Sequence, residues 1–213
     1  MVMVKICGIT NEDDLEAAID AGTDSLGFVV GVPSSPRDLS IPMARRLIDK
    51  VPDGVNSVAV TVVDNVERLR RVFVELKPDY LQIHGDLDQM LVQLNEIRDR
   101  TIVAVDGGAK DAYNVAAELS RTFQFILLDT ASDGGLGGTG KIHDWHSSGR
   151  IRSKIYPAHL ILAGGLTPRN VAEAVRVVKP FGVDVSTGVE KTPGLKDFEK
   201  MREFVTRARE GEI

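Results

Sequence analysis

The sequence is poor in cysteine, in long hydrophobic runs and in positive charge, and each absence excludes a class of protein. One thiol in 213 residues rules out an internal disulfide framework and a metal site built from several cysteines. No run approaches about eighteen apolar residues, and no apolar stretch follows a basic start, so we expect no membrane association. A formal net charge of -5 argues against general attraction to nucleic acid. We therefore expect a cytoplasmic protein that binds neither membranes nor nucleic acid.

The composition is that of a folded globular protein. Hydrophobic residues make up 43% of the chain and charged residues 27%, although aromatic residues reach only 5%. The length lies at the lower end of what a complete (β/α)8 barrel needs. Because no linker, low-complexity tract or shift in composition divides the chain, we expect residues 1–213 to form a single domain.

Short β-branched or Leu-rich runs alternate along the chain with amphipathic stretches. The predicted strands are 2–7, 25–30, 57–63, 80–84, 101–105, 125–128, 160–163 and 183–186. The predicted helices are 11–21, 42–50, 66–77, 87–98, 112–121, 168–179 and 195–209. Between the sixth and seventh strands the pattern is weaker, and residues 142–155 predict only a short helix.

Eight alternating strand and helix units favour parallel strands joined by right-handed crossovers. Eight such units allow the sheet to close, so the sequence predicts a single-domain (β/α)8 TIM barrel of the α/β class. An open doubly wound sheet is the structural alternative.

Side-chain alternation in the first strand places a charged and a thiol residue on one face. Lys5 and Cys7 share that face, whereas Val4 and Ile6 share the other. Helices cover the outside of a barrel, so we expect Lys5 and Cys7 to point inward. A buried lysine needs a counter-charge, and Asp184 lies on the inner face of the eighth strand, which neighbours the first in a closed barrel. The predicted Lys5–Asp184 pair is either purely structural or functional.

Polar side chains also end two other predicted strands. His84 shares a face with Gln82 at the end of the fourth strand, and Asp129 follows the sixth. The carboxyl ends of parallel strands meet at one end of a barrel, so Cys7, His84 and Asp129 are predicted to converge there. Each alone is typical of a capping or hydrogen-bonding residue. Together they can supply an acid/base pair and a polar group that orients a substrate.

Two glycine-containing loops follow the seventh and eighth predicted strands, at residues 163–168 and 186–190. Barrels build phosphate sites from these two loops, and glycine lets backbone N–H groups approach phosphate oxygens. Thr167 and Pro168 are also typical of a helix start, which accounts for part of the first loop. The predicted phosphate-binding residues are Gly164, Gly165, Ser186, Thr187 and Gly188.

The segment 135–141 resembles a phosphate-binding P-loop but differs from it at one position. Ile142 stands where Ser or Thr would hold magnesium. We instead predict a glycine-rich loop over the end of the barrel, with Lys141 able to reach an anionic ligand. His143 and His146 are three positions apart, but no third ligand accompanies them, so we expect no metal site.

Eight segments of the sequence together resemble one known family. They are KICGIT at 5–10, LGFV at 26–29, SPR at 35–37, QIHG at 82–85, LLDT at 127–130, GTGK at 138–141, AGGL at 163–166 and DVSTGVE at 184–190. On these motifs the sequence is identified as a member of the phosphoribosylanthranilate isomerase family of tryptophan biosynthesis. The resemblance implies a barrel of the ribulose-phosphate-binding type, a small-molecule phosphoribosyl substrate and no cofactor. It implies no particular oligomeric state.

The same resemblance implies a role for three residues in an Amadori rearrangement. Cys7 is similar to the family's general base, Asp129 to its general acid, and Arg37 to the partner of the anthranilate carboxylate. A carboxyl group in a dry site can stay protonated near neutral pH. A thiol serves as the base if its pKa falls toward neutrality. We expect Arg37 to hold the carboxylate with two parallel hydrogen bonds at the pole opposite the phosphate loops. A surface pair of Arg37 with Asp38 is the alternative.

The sequence departs from the family pattern at three places. The loop 31–37 lacks the aromatic residue often found before Ser-Pro-Arg, His143 stands where many relatives carry Phe, and Leu87 replaces an acidic residue. Two other functions remain open. One is a related isomerase of histidine biosynthesis, although its first strand usually ends in Asp, unlike Cys7. The other is a barrel that binds a sugar phosphate for regulation without catalysis.

Overall fold

Eight parallel strands form a closed barrel in the computed structural model, which describes residues 1–62, 65–85, 96–130 and 143–212. The strands are β1 (Met3–Cys7), β2 (Ser25–Val30), β3 (Asp38–Leu39), β4 (Asn56–Val62), β5 (Tyr80–His84), β6 (Thr101–Asp106), β7 (Phe125–Asp129), β8 (His159–Leu162), β9 (Gly182–Val185), β10 (Glu190–Thr192) and β11 (Leu195–Lys196). The helices are α1 (Glu12–Asp20), α2 (Ile41–Ile48), α3 (Val66–Leu76), α4 (Ala112–Leu119), α5 (Trp145–Ile155), α6 (Val171–Val178) and α7 (Phe198–Glu210).

The first strand closes the barrel. Strand β1 pairs in parallel with β2 on one side and with β9 on the other. The order around the barrel continues β9, β8, β7, β6, β5, β4 and β2, and the short β3 is an addition beside β2. Closure confirms the predicted (β/α)8 barrel and excludes the open sheet.

Polar residues that accept a backbone N–H begin most of the described helices. Asn11 caps α1, Ser40 caps α2, Asn65 caps α3 and Asp144 caps α5 through their side chains. Each cap satisfies an N–H group that the first helical turn leaves without an intrahelical partner. The structure confirms the predicted helices 11–21, 42–50, 66–77, 112–121 and 168–179.

The last predicted helix, 195–209, was placed too early. Its first residues form β11, which pairs antiparallel with β10, and the helix begins only after Asp197, whose carboxylate accepts from the N–H of Lys200 at 3.1 Å. Gly194, at a φ of +82°, makes the turn between β10 and β11. Sequence reasoning also missed β3. It underestimated α5, which runs for 11 residues.

The predicted helix 87–98 falls mostly outside the described residues. The described part of that connection ends in a 3-10 turn at Arg98–Arg100. The final residue of the predicted third strand, 63, also lies outside them.

Two apolar layers hold the barrel. The larger lies between strands and helices and includes Ile6, Phe28 and Phe204. The smaller fills the interior, where Val58, Ile102, Leu127 and Ile161 meet. Within the described part of the chain, no helix is long and apolar enough to cross a membrane.

Candidate active site

A cavity of about 330 Å³ opens at the carboxyl ends of the barrel strands, which we call the mouth of the barrel. This volume suits a small organic ligand. The predicted residues that line it are Cys7, Arg37, His84, Asp129, Gly164, Gly165, Asp184, Ser186, Thr187 and Gly188. Lys5 lies beneath the cavity and is fully buried. Lys141 lies outside the described residues.

Cys7 ends β1 with its thiol packed inside the barrel, 7% exposed. A glycine on the neighbouring strand makes this possible. A Cβ on Gly27 would lie 2.7 Å from the Cys7 Sγ and 3.1 Å from the Lys5 Nζ. Burial raises the pKa of the Cys7 thiol, although the Lys5 ammonium acts in the opposite direction. In the free protein the Cys7 pKa therefore does not fall toward neutrality, because the loss of solvation outweighs the nearby cation.

The predicted ion pair across the barrel seam is present. Lys5 Nζ donates to Asp184 Oδ1 at 2.9 Å, and the two residues are register partners on β1 and β9. Burial alone would lower the pKa of Lys5, but the Asp184 carboxylate and Cys7 together outweigh burial, and the pKa lies above its ordinary value. Lys5 is therefore a cation at the floor of the cavity.

Asp129 stands at the end of β7 with its carboxyl group largely withdrawn from water. Burial, helped by the negative charge of Asp184, raises the pKa of Asp129 from 3.8 to about 6. The N–H of Thr130 donates to Asp129 Oδ1 at 2.7 Å and opposes that rise. The predicted weak acid in a dry site is thus present, and a partly protonated carboxyl group is available near neutral pH.

His84 is held in its neutral form at the end of β5. Burial, with a smaller effect of the Lys5 cation, lowers the pKa of His84 to about 4. The Gln82 amide lies 2.9 Å from His84 Nε2 and donates to it. His84 can therefore offer an N–H from its other ring nitrogen to a ligand, without adding a charge.

The two glycine loops after β8 and β9 touch each other. A Cβ on Gly188 would lie 1.9 Å from the Leu166 carbonyl oxygen, so only glycine permits this approach. Gly164 and Gly165 have φ values of +81° and +67°. The Ser186 hydroxyl is buried at the cavity wall and has no hydrogen-bond partner within the described residues. Together these groups form a cradle of backbone and hydroxyl donors.

Arg37 reaches the cavity but does not stand opposite these loops. Its Nε and Nη2 donate to the two carboxylate oxygens of Glu190 at 2.7 and 2.6 Å, and Nη2 also donates to Thr187 Oγ1 at 3.1 Å. The expectation of opposite poles is wrong, because β1 alone separates β2 from β9 in the closed barrel. The alternative of a surface pair with Asp38 is also wrong. Asp38 instead accepts from the N–H of Val32 at 2.7 Å.

Sequence reasoning gave no role to Glu190 and missed Lys196. Glu190 stood inside a family motif, which was a usable signal. Lys196 gave none, because a lysine beside an aspartate is typical of an exposed helix start. The structure buries both on the β10–β11 hairpin, and Lys196 Nζ lies 3.1 Å from Glu190 Oε1.

His143, one of the departures from the family pattern, is buried beside Thr130, the residue that follows β7. Its Nδ1 lies 3.0 Å from Thr130 Oγ1, and its Nε2 lies 2.8 Å from Ser148 Oγ. Burial lowers its pKa. The imidazole thus links the residue after β7 to α5. In the described ranges, no group of three or more His, Cys, Asp or Glu residues is placed to hold a metal ion.

A closed parallel barrel with a thiol, a weak acid and a glycine-rich cradle at its mouth defines a (β/α)8-barrel enzyme equipped for proton transfer. The family model described as N-(5'phosphoribosyl)anthranilate (PRA) isomerase matches residues 4–207. The chain therefore belongs to the N-(5'-phosphoribosyl)anthranilate isomerase family and is an isomerase, which confirms the resemblance in the sequence.

Individual relatives agree over nearly their full length. The N-(5'-phosphoribosyl)anthranilate isomerase of Methanothrix thermoacetophila is 47% identical, covering 98% of this chain and 99% of the relative. The phosphoribosylanthranilate isomerase structure from Thermotoga maritima is 37% identical with a TM-score of 0.86, covering 98% and 99%. A second structure, 35% identical with a TM-score of 0.82 and the same coverage, is a complex with reduced 1-(o-carboxyphenylamino)-1-deoxyribulose 5-phosphate.

Proposed function

We propose that the chain carries out the reaction of its family with Cys7 as general base and Asp129 as general acid. The reaction converts N-(5-phosphoribosyl)anthranilate to 1-(2-carboxyphenylamino)-1-deoxyribulose 5-phosphate, the third step from chorismate to tryptophan. The observation that carries the assignment is the placement of a buried thiol and a weak carboxylic acid, with a pKa of about 6, on one ligand-sized cavity.

Asp129 acts first in this scheme. Its carboxyl proton passes to the ring oxygen of the ribose as the bond from that oxygen to C1′ breaks, and the glycosylamine becomes an iminium ion. An acid is required because an alkoxide is a poor leaving group at neutral pH. The raised pKa of Asp129 supports this role, since the group is protonated in a useful fraction of molecules.

Cys7 then removes the proton at C2′, which the neighbouring iminium has made acidic. The electron pair of that C–H bond neutralises the iminium and leaves an enolamine, which tautomerises to the ketone. In the free protein, burial raises the pKa of Cys7. The positive iminium formed next to the thiol favours the thiolate, so Cys7 releases its proton to solvent at the cavity mouth and becomes the base when the substrate opens. The Lys5 cation beneath acts in the same direction.

The phosphate of the substrate is assigned to the two glycine loops. Gly164, Gly165 and Gly188 allow close approach of backbone N–H groups, and Ser186 and Thr187 add hydroxyls. The Ser186 hydroxyl, buried with no partner among the described residues, suits a ligand oxygen. The geometry of the pair of loops supports a single phosphate.

The substrate carboxylate is assigned to Arg37. Glu190 and Thr187 already use the Nε and Nη2 donors, whereas no partner for Nη1 is found among the described residues. The ligand carboxylate is therefore assigned to Nη1. The two parallel hydrogen bonds that the sequence predicts for Arg37 are made to Glu190. His84 and Asp184 line the cavity at the ribose position, between the phosphate and the carboxylate, and Lys5 lies beneath them. Lys141 remains a proposed ligand contact.

Three broader expectations remain proposals. We infer that residues 1–213 fold as one domain, since the barrel includes both β1 and β9. We place the enzyme in the cytoplasm because its one cysteine is an unpaired thiol, which a reducing compartment protects. Its partner is the small phosphoribosyl substrate, without a cofactor.

The test is the loss of anthranilate-ring fluorescence when freshly generated phosphoribosylanthranilate is converted in the presence of a metal chelator. We expect Cys7→Ser and Asp129→Asn each to lower turnover by about 100-fold or more, because each removes a proton-transfer group. Asp53→Asn is the matched control, since Asp53 is exposed in the turn before β4, at the opposite end of that strand from the cavity. Near-wild-type rates in both folded variants would show that the assigned chemistry is wrong.

A further inference from the structure

The β10–β11 hairpin brings two opposite charges into the protein beside the mouth. Glu190 and Lys196 are direct partners in its register, 7% and 3% exposed. The hairpin is an addition to the barrel, since its strands pair with each other and not with the eight barrel strands. Both side chains extend toward residues of the proposed site, which a hairpin serving only as a connection does not require.

Lys196 is bonded as an ammonium ion, although burial lowers its pKa from the ordinary value. Its Nζ donates to the Cys7 carbonyl at 2.6 Å, to Glu190 Oε1 at 3.1 Å and to the Ser186 carbonyl at 3.3 Å. Three acceptors match the three N–H donors of a charged lysine. The backbone N–H of Lys196 is held in turn by Asp14 Oδ2 at 3.0 Å. Hydrogen bonds therefore fix both the backbone and the ammonium group of Lys196.

Glu190 joins this cation to a second one. Its carboxylate accepts from Lys196, from the Gly194 N–H at 3.3 Å and from both Nε and Nη2 of Arg37. The two parallel hydrogen bonds between Arg37 and Glu190 fix the plane of the guanidinium group. One edge of the Arg37 side chain is therefore occupied, and Nη1 is left for a ligand.

The charges of these three bonded side chains do not balance. Arg37 and Lys196 are positive and Glu190 is negative, so the cluster carries one net positive charge at the cavity wall. The adjacent Lys5–Asp184 pair is neutral as a unit. A ligand carboxylate against Nη1 supplies the second negative charge, which is strongly favoured where water is largely excluded.

We propose that Glu190 and Lys196 are positioning residues, which hold Arg37 for the carboxylate of the substrate and so set the preference for a carboxylated aryl group. This inference rests on the proposed function. Neither residue lines the cavity, so each acts through Arg37. A purely structural hairpin would contribute to stability without discriminating between ligands that differ only in the carboxylate.

The test compares two probes by titration calorimetry. One is reduced 1-(o-carboxyphenylamino)-1-deoxyribulose 5-phosphate, and the other is the same compound without the ring carboxylate. We expect Lys196→Met to reduce the preference for the carboxylated probe by roughly tenfold, with little change in affinity for the other. Lys191→Met is the matched control, because Lys191 is exposed on the same hairpin and should keep the wild-type preference.

A second variant guards against misfolding, because Lys196→Met leaves Glu190 with fewer partners. Glu190→Gln with Lys196→Met removes the two buried charges of the hairpin together, and we expect this double variant to lose the carboxylate preference as well, since Arg37 is no longer held. Circular dichroism checks both folds. An unchanged preference in a folded variant, or an equal loss for both probes, would overturn the inference. Failure of the wild type to bind either probe would instead overturn the function on which it rests.

Discussion

Asp129 shows, at the scale of a single residue, how an acid site conflicts with stability. Its pKa is raised from 3.8 to about 6 because the ionised carboxylate loses solvation in the folded protein. The folded state therefore binds this proton more tightly than the unfolded state does. Stability from this group is fully present below about pH 4 and is lost as the pH rises through 6.

We expect Asp129→Asn to stabilise the protein at neutral pH while it lowers turnover by about 100-fold or more. The neutral amide has almost the same size and avoids a cost of up to about 3 kcal/mol. The gain should shrink as the pH is lowered through 6 and disappear near pH 4, where the native carboxyl group is itself neutral. Urea denaturation of both proteins at several pH values measures it. A gain that is the same at every pH would show that the charge is not its cause.

At the scale of an element, the loops after β8 and β9 depend on one glycine. Gly188 has an ordinary backbone conformation, so the contact of its Cα with the Leu166 carbonyl is the reason that glycine is required. A Cβ would lie 1.9 Å from that oxygen. The two loops can share a ligand only while they lie this close.

We expect Gly188→Ala to separate the loops and to raise the KM for the phosphorylated substrate by about tenfold or more, because several phosphate contacts are lost together. Inhibition by inorganic phosphate should weaken in parallel. Gly149→Ala in α5 is the control: the nearest atom to its new Cβ lies 3.6 Å away, and alanine favours a helix by about 1 kcal/mol. If KM and phosphate inhibition are both unchanged in Gly188→Ala, the phosphate does not bind between these loops.

At the scale of the whole molecule, the barrel closes where β1 meets β9, and the Lys5–Asp184 pair lies on that seam. Removing one member of a buried pair leaves the other charge without compensation. We expect Lys5→Met to cost about 3–5 kcal/mol of unfolding free energy. The double variant Lys5→Met with Asp184→Leu should recover most of it, because apolar replacements leave no unpaired charge.

Urea denaturation of the wild type and both variants provides the measurement, and one cooperative transition is expected if the chain is one domain. If Lys5→Met is as stable as the wild type, the pair does not stabilise barrel closure. A double variant no better than the single one would trace the loss to packing of the lysine stem and not to charge.

Much of the barrel and part of the site were predictable from the sequence. The period-two alternation of β1 places Lys5 and Cys7 inside, and the same rule places Asp129 at the mouth, because it depends only on local backbone geometry. That placement also predicts that the pKa of Asp129 is raised, because burial disfavours the ionised carboxylate. Gly27 was an unused signal, since a glycine within a strand often marks a close approach of other atoms.

The sequence by itself determined the strand and helix pattern, the inward residues and the family, because periodicity and motifs are local properties of the chain. Only the tertiary structure decided what the charged groups do. Glu190 and Arg37 are 153 positions apart, and Lys196 meets the Cys7 carbonyl from 189 positions away. Because of these contacts, the first residues of the predicted helix 195–209 form part of a hairpin, and Arg37 has the carboxylate of Glu190 as its partner. The contacts exist only because barrel closure brings both ends of the chain to one wall of the cavity.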